Sequence, residues 1–255
     1  MSSFAATDAP VAQLTITPEP IFVLGAPRSG TSMMQWALRQ HPDLWGGPES
    51  DFLIPLLSGA RAAHAYGTQR GDLHWLSRMG VGEAELLRYV GAGINAMYTQ
   101  RSGGLRWVEQ TPQYTLHLDE MSQAFPGARF VYMLRNGRDV VNSMRNFVYP
   151  VEHAEASRIW AEFVRAGIEF SEGPLGDRMI VVPYADAVQD AAPTLAALLQ
   201  LLGLRHVDDC ARFITDKAPI NSSFQGGERR IEWSEDEEYQ FDTWAGDTMR
   251  LLGFE

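Results

Sequence analysis

Apolar positions along the chain fall into two kinds of run. Ile21-Phe22-Val23-Leu24 and Phe130-Val131-Tyr132-Met133-Leu134 are unbroken apolar stretches, long enough for buried strands and too short for helices. Arg106-Trp107-Val108-Glu109 and residues 179–184 predict two further strands. Between them the spacing changes to the helical period. Met33, Met34, Trp36, Ala37 and Leu38 predict a helix stopped by His41-Pro42, and residues 114–125 read as another. Ile159, Trp160, Phe163, Val164 and Ile168 mark the apolar face of a helix over 152–170, and 191–204 is a Leu-rich helix ending at Gly203. Residues 51–104 carry Leu86, Leu87, Tyr89, Val90, Ile94 and Met97 at helical spacing and predict several helices. Strands alternating with helices predict an α/β fold: three P-loop-like layers, with a central, mostly parallel sheet flanked by helices.

The turn from the first strand into the first helix carries the strongest chemical signal. In Gly25-Ala26-Pro27-Arg28-Ser29-Gly30-Thr31-Ser32 the two glycines let the backbone approach a ligand. The helix opening at Gly30 aims its unbonded N–H groups and positive dipole end at the same place, and Arg28 adds a charge. Thr31 stands where a nucleotide triphosphatase needs Lys, which argues against γ-phosphoryl transfer and leaves a phosphate ligand standing.

Two other stretches bear on this loop. Arg135 ends a strand, and Ser143 lies two turns along the next helix, so both can face a second anion beside the first. In the same segment Arg138 and Asp139 have the alternative of an ordinary helix-start ion pair, worth little. Glu49, on the turn Gly46-Gly47-Pro48, has two readings. One is a solvated turn residue or helix cap; the other is a carboxylate returning to the mouth of the anion site.

Composition narrows the classes. The 255 residues suit one domain, read as 21–255 behind a loose arm at 1–20. A net charge of −11 and a pI near 5.0 exclude a general nucleic-acid binder, which needs a basic stripe. Cys210 is the single cysteine, so no internal disulfide forms and a reducing, cytoplasmic setting is expected. No signal peptide or membrane-length apolar run is present, so no membrane partner is expected. Lys217 is the only lysine, so an anion pocket here must be built from arginine, backbone and hydroxyls. The six histidines show no paired metal spacing, and no metal is expected.

At these motifs the chain resembles a known family. Gly25 to Ser32 resembles the 5′-phosphosulfate loop of sulfotransferases that use 3′-phosphoadenosine-5′-phosphosulfate (PAPS), in the branch with the tyrosylprotein sulfotransferases and many bacterial enzymes. Arg135 and Ser143 match the Arg and Ser of that family's 3′-phosphate motif, in the right order and at the right separation. The resemblance implies a sulfuryl transfer from PAPS to an acceptor hydroxyl, with adenosine-3′,5′-bisphosphate as product. It implies Glu49 as base and Arg28 beside the transferring group. Ala26, Pro27, Arg28, Ser29, Gly30, Thr31, Ser32, Arg135, Ser143 and Tyr184 would be donor contacts, joined by Ser222, Ser223 and Arg229 of a C-terminal loop. Sulfuryl transfer carries less negative charge than phosphoryl transfer, consistent with a site without metal.

One position departs from the pattern: Gln110 stands where the family commonly has Lys in Glu-Lys-Thr-Pro. That departure leaves open a non-catalytic module that binds the bisphosphonucleotide. A small-molecule P-loop kinase is the remaining alternative, but the loop Lys and metal-binding Asp it requires are not found. Residues 51–104, with His64, Tyr66, His74 and Trp75, are read as an acceptor-side insertion, each of those four having surface or core packing as its alternative. The acceptor is read as a small molecule or natural product, because an acidic protein disfavours polyanions.

Overall fold

The computed structural model describes residues 15–17, 19–216 and 232–254. Five strands, β1 (Ile21–Gly25), β2 (Leu44–Gly46), β3 (Arg106–Gln110), β4 (Arg129–Leu134) and β5 (Met179–Pro183), form one sheet in the order β2-β3-β1-β4-β5. Every pairing is parallel, with Ile21 opposite both Val108 and Arg129. Among the described residues eleven α-helices surround it. They are α1 (Thr31–Leu38), α2 (Leu53–Thr68), α3 (Trp75–Met79), α4 (Glu83–Arg101), α5 (Leu118–Ala124), α6 (Gly137–Arg145), α7 (His153–Glu172), α8 (Tyr184–Gln189), α9 (Ala191–Leu201), α10 (Asp208–Asp216) and α11 (Glu235–Leu251).

The unbroken apolar runs are explained by burial on both faces of the sheet. Ile21 and Val23 of β1 pack with Val131 and Met133 of β4 beneath Met34 and Leu38 of α1 and Leu195, Leu198 and Leu199 of α9. Phe22 and Leu24 point the other way, into Trp107, Phe130 and Tyr132, under Leu53, Leu87 and Met121 from α2, α4 and α5. Phe22 alone meets four rings, at 5.3 Å from Trp107, 6.2 Å from Tyr114, 5.2 Å from Phe125 and 6.0 Å from Phe130. Burying a side chain of this size contributes roughly 1.5–3 kcal/mol, so the central strand is the strongest anchor of the fold. A third cluster joins α6, α7 and α11 through Val140, Met144, Trp160 and Phe241, and it includes Ala26 of the loop after β1.

The direction in which the chain leaves β1 and β4 positions the site. α1 packs on the Ile21 face. α7 lies across the other face, where Phe163 O accepts the Tyr132 hydroxyl at 3.0 Å. Neighbouring parallel strands whose helices depart to opposite faces leave a crevice at their carboxyl ends. The loops Gly25 to Gly30 and Arg135 to Asn136 line it.

Three sequence expectations are corrected. The helix expected over 114–125 is split into a 3₁₀ helix, Pro112–His117, and α5. Within the 3₁₀ segment the Thr115 hydroxyl serves the Gly25 N–H at 3.0 Å, a bond that ties it to the loop after β1. The strand expected to run to Tyr184 stops at Pro183, which has no N–H for a ladder, and Tyr184 opens α8. The arm expected to be loose over 1–20 is tied down at Thr17, which is buried, its N–H donating to Thr99 Oγ1 (2.9 Å) and its carbonyl accepting from Asn95 Nδ2 (2.6 Å).

Candidate functional site

The loop after β1 is shaped by two glycines and one arginine with positive φ. Gly25 has φ 139°, and a Cβ there would lie 2.6 Å from Met133 O of β4. Ser29 N donates to Ala26 O at 3.1 Å and closes the turn. Arg28 has φ 71°, a left-handed conformation that costs a residue with a Cβ about 1–2 kcal/mol. Gly30, at φ 98°, caps α1 without any side-chain hydrogen bond and with no acidic residue in the first turn. The first amides of α1 are therefore not met by a capping side chain, the arrangement that receives an anion.

The loop after β4 brings a second cation to the same place. Arg135 Nη1 donates to Arg28 O at 3.1 Å, and its guanidinium lies 4.2 Å over the Tyr184 ring. Trp160 Nε1 holds the Arg135 carbonyl at 3.0 Å. Arg135 Nε is buried with no hydrogen-bond acceptor; Asp139 Oδ2, at 3.8 Å, is too far to be one. Arg28 Nε donates to Ser143 Oγ of α6 at 3.3 Å, and its guanidinium stacks 4.2 Å over Phe147. Burial, and then the neighbouring Arg135, lower the Arg28 pKa. Two arginines pressed together with a buried donor unspent are the counterpart of a polyanion.

The third component arrives from β2. Its turn is fastened to α1 by Gln35 Nε2, which donates to Gly47 O at 2.9 Å. The exposed carboxylate of Glu49 accepts from Gln110 Nε2 at 3.0 Å. The same amide nitrogen donates to Thr31 Oγ1 at 3.1 Å, and Gln110 Oε1 accepts from Ser32 Oγ at 3.2 Å. Gln110 thus spends both donors and its acceptor linking Glu49 to the opening turn of α1. Lysine could donate to Glu49 and Thr31 but could not accept from Ser32.

Glu109 was not a sequence candidate. It is 1% exposed, and its Oε1 accepts from Ser50 N at 3.0 Å, Ser50 Oγ at 2.6 Å and Thr111 Oγ1 at 2.7 Å. Its Oε2 has no partner. Burial pushes this carboxyl up to about 7, against the pull of those hydrogen bonds and with a push from Glu49. A carboxylate inside the strand Trp107-Val108-Glu109-Gln110 was the available signal.

The structure therefore gathers Ala26, Pro27, Arg28, Ser29 and Gly30 in one loop and Thr31 and Ser32 in the opening turn of α1. It sets Arg135, Ser143 and Tyr184 against that loop and joins Glu49 to it through Gln110. Ser222, Ser223 and Arg229 lie outside the described residues. The Arg138–Asp139 pair does not form: Arg138 makes a two-pronged contact with Glu238 of α11 at 2.8 and 2.7 Å, and Asp139 faces Arg135. Of the four residues read as acceptor candidates or packing, His64 Nε2 bonds Val81 O at 2.9 Å, His74 and Tyr66 rings lie 6.2 Å apart, and Tyr66 and Trp75 are exposed. Among the described residues no group of three His, Cys, Asp or Glu could hold a metal ion, and no helix is long and apolar enough to cross a membrane.

Comparison with known proteins agrees with this geometry. The family model described as the sulfotransferase family matches residues 20–209. Nodulation protein NoeE of Sinorhizobium fredii (strain NBRC 101917 / NGR234) is 26% identical over 136 residues, 51% of this chain and 32% of NoeE. A putative protein-tyrosine sulfotransferase of Caenorhabditis briggsae is 31% identical over 147 residues, 57% of this chain and 49% of that protein. The chain thus spans at most about half the length of these relatives. The sulfotransferase domain of the Synechococcus PCC 7002 olefin synthase superposes with a TM-score of 0.56 at 20% identity, covering 91% of this chain and 98% of that one. Mouse sulfotransferase SULT7A1 complexed with PAP gives 0.53 at 12% identity, covering 92% and 84%. At such identities the structural likeness speaks to the fold.

Proposed function

The chain belongs to the sulfotransferase family, and from that premise we propose that it moves a sulfuryl group from PAPS to an acceptor hydroxyl in the crevice between β1 and β4. The observation that carries the reading is the Arg28–Arg135 contact with its buried, unspent donor, set beside a carboxylate that Gln110 ties to the same loop. A donor with phosphate groups at two ends matches two adjoining cationic loops. Mouse SULT7A1, of the same fold, was solved with PAP, which supports that donor class.

Each side chain has a task that follows from its place. The N–H groups of Ala26, Arg28 and Gly30, with the side chains of Arg28, Ser29, Thr31 and Ser32, hold the phosphosulfate end and stabilise charge as it develops there. Arg135 and Ser143 hold the 3′-phosphate and so fix the orientation of the donor, with Tyr184 beneath Arg135. When bound, the donor supplies the sulfuryl group and leaves as adenosine-3′,5′-bisphosphate. Glu49 takes the proton of the acceptor hydroxyl, whose oxygen forms the new S–O bond as the bond to the departing phosphate breaks. Gln110 keeps Glu49 at the loop by hydrogen bonding alone, leaving its charge unneutralised. That supports turnover over a module that only binds.

The same reading keeps 21–255 as one domain, with 51–104 covering the acceptor side, Pro27 shaping the first loop, and Ser222, Ser223 and Arg229 as additional donor contacts. The acceptor is a small hydroxylated molecule and the setting cytoplasmic; the free, buried thiol of Cys210 suits a reducing compartment. Calorimetric titration with adenosine-3′,5′-bisphosphate, AMP and ATP–Mg²⁺ tests the donor. Preference for the bisphosphate is expected, and equal or tighter ATP–Mg²⁺ binding overturns the reading. In a PAPS turnover assay Glu49→Ala is expected to lose about 10²–10⁴-fold in kcat with bisphosphate affinity retained.

A further inference from the structure

The turn bearing Glu49 is gripped by two successive residues of β3. Gln110 holds the Glu49 side chain (3.0 Å), and Glu109 holds the next residue twice, through Ser50 N (3.0 Å) and Ser50 Oγ (2.6 Å). Successive strand residues point to opposite faces, so the two grips come from different sides of the strand end. The Tyr114 hydroxyl adds a bond to Ser50 O. Resting on the transferase reading, we infer that Glu109 is a positioning residue: by clamping the Ser50 amide and hydroxyl to the end of β3 it sets the reach of Glu49 toward the acceptor.

Burial, and then the nearby Glu49, favour a neutral carboxyl against the pull of its hydrogen bonds. Oε1 receives three hydrogen bonds while Oε2 is buried with none. The titratable and polar groups that face it are Glu49 and Ser50 from the turn, Thr111 beside it, Tyr98 from α4 and Tyr114 from the 3₁₀ helix. Of these, Glu49 is the one whose charge opposes an ionised Glu109. With its carboxyl near 7, Glu109 loses its proton as the pH passes neutrality. Ionisation strengthens its hold on the Ser50 donors but places a buried charge behind Glu49, so kcat changes across that range.

The experiment separates this from the transferase reading itself. In wild type, bisphosphate titration and PAPS turnover judge the reading; amide hydrogen exchange at Ser50 judges the clamp whether or not turnover is seen. Glu109→Ala is expected to speed exchange at Ser50 while β1 stays protected. It lowers kcat about tenfold or more, with KM for PAPS and bisphosphate affinity within about twofold. Glu109→Gln, which keeps an acceptor oxygen for Ser50, restores kcat to within about threefold of wild type and abolishes the inflection near neutral pH. Unchanged exchange at Ser50 in Glu109→Ala overturns the inference. So does an inflection that survives in Glu109→Gln, or a kcat loss matched by lost bisphosphate affinity. Should Glu109→Ala fail to fold, the Glu109→Gln pH profile and Ser50→Ala, expected to lower kcat severalfold with retained affinity, decide it.

Discussion

Arginines at the two ends of the sheet are spent in opposite ways. At the amino end Arg178 donates to three carbonyls, Ala128 O (3.1 Å), Ser122 O (3.3 Å) and Phe125 O (2.7 Å), closing off the end of α5. Arg106 likewise bonds Leu202 O at 2.6 Å and Glu19 O, and Arg129 bonds Asp177 O at 2.9 Å. At the carboxyl end Arg28 and Arg135 lie against each other's loop and stack on Phe147 and Tyr184, with Arg135 Nε buried and unsatisfied. Burial does not separate the groups, since it lowers the pKa of Arg28, Arg106 and Arg178 alike. What separates them is the unspent donor: every guanidinium nitrogen of Arg178 is held by a carbonyl, whereas Arg135, although its Nη1 bonds Arg28 O, keeps a buried Nε with no acceptor and so has capacity left for a ligand.

The sharpest way to break this contrast is to exchange the two losses. Arg135→Ala should weaken adenosine-3′,5′-bisphosphate binding by about tenfold to a hundredfold, as expected for charge-assisted hydrogen bonds, with little change in unfolding midpoint. Arg178→Ala should do the reverse: denaturant unfolding should show about 2 kcal/mol lost, from carbonyls left unpaired, with ligand affinity within about twofold. Equal effects on binding from both variants would erase the distinction. A smaller test adds a cation at the carboxyl end. Gln110→Lys keeps donors for Glu49 and Thr31 but loses the acceptor that Ser32 uses, so kcat should fall severalfold with bisphosphate affinity retained. An unchanged kcat would mean that the Gln110 junction does not matter to turnover.

What the sequence revealed was whatever the chain states locally. The runs at Ile21 and Phe130 and the glycines at 25 and 30 are each stated within a few residues, and each is found where the pattern put it. What escaped was set by partners far along the chain. Gln110 read as a missing charge, and only the approach of Thr31, Ser32 and Glu49 makes it a junction. Glu109 read as a strand residue because Ser50, 59 positions away, supplies its bonds. Thr115 broke the helix expected over 114–125 because the hydroxyl has business with Gly25, 90 positions earlier.

Tyr184 touches both loops. Its ring lies 4.2 Å beneath the Arg135 guanidinium, and a Cβ on Gly30 would come within 2.6 Å of its Cδ2. The ring is thus a spacer of fixed thickness wedged between two charge-receiving arms. A pocket built on such a spacer measures the interval between two charges rather than their sum, and a ligand with a single phosphate, however highly charged, fills only one arm.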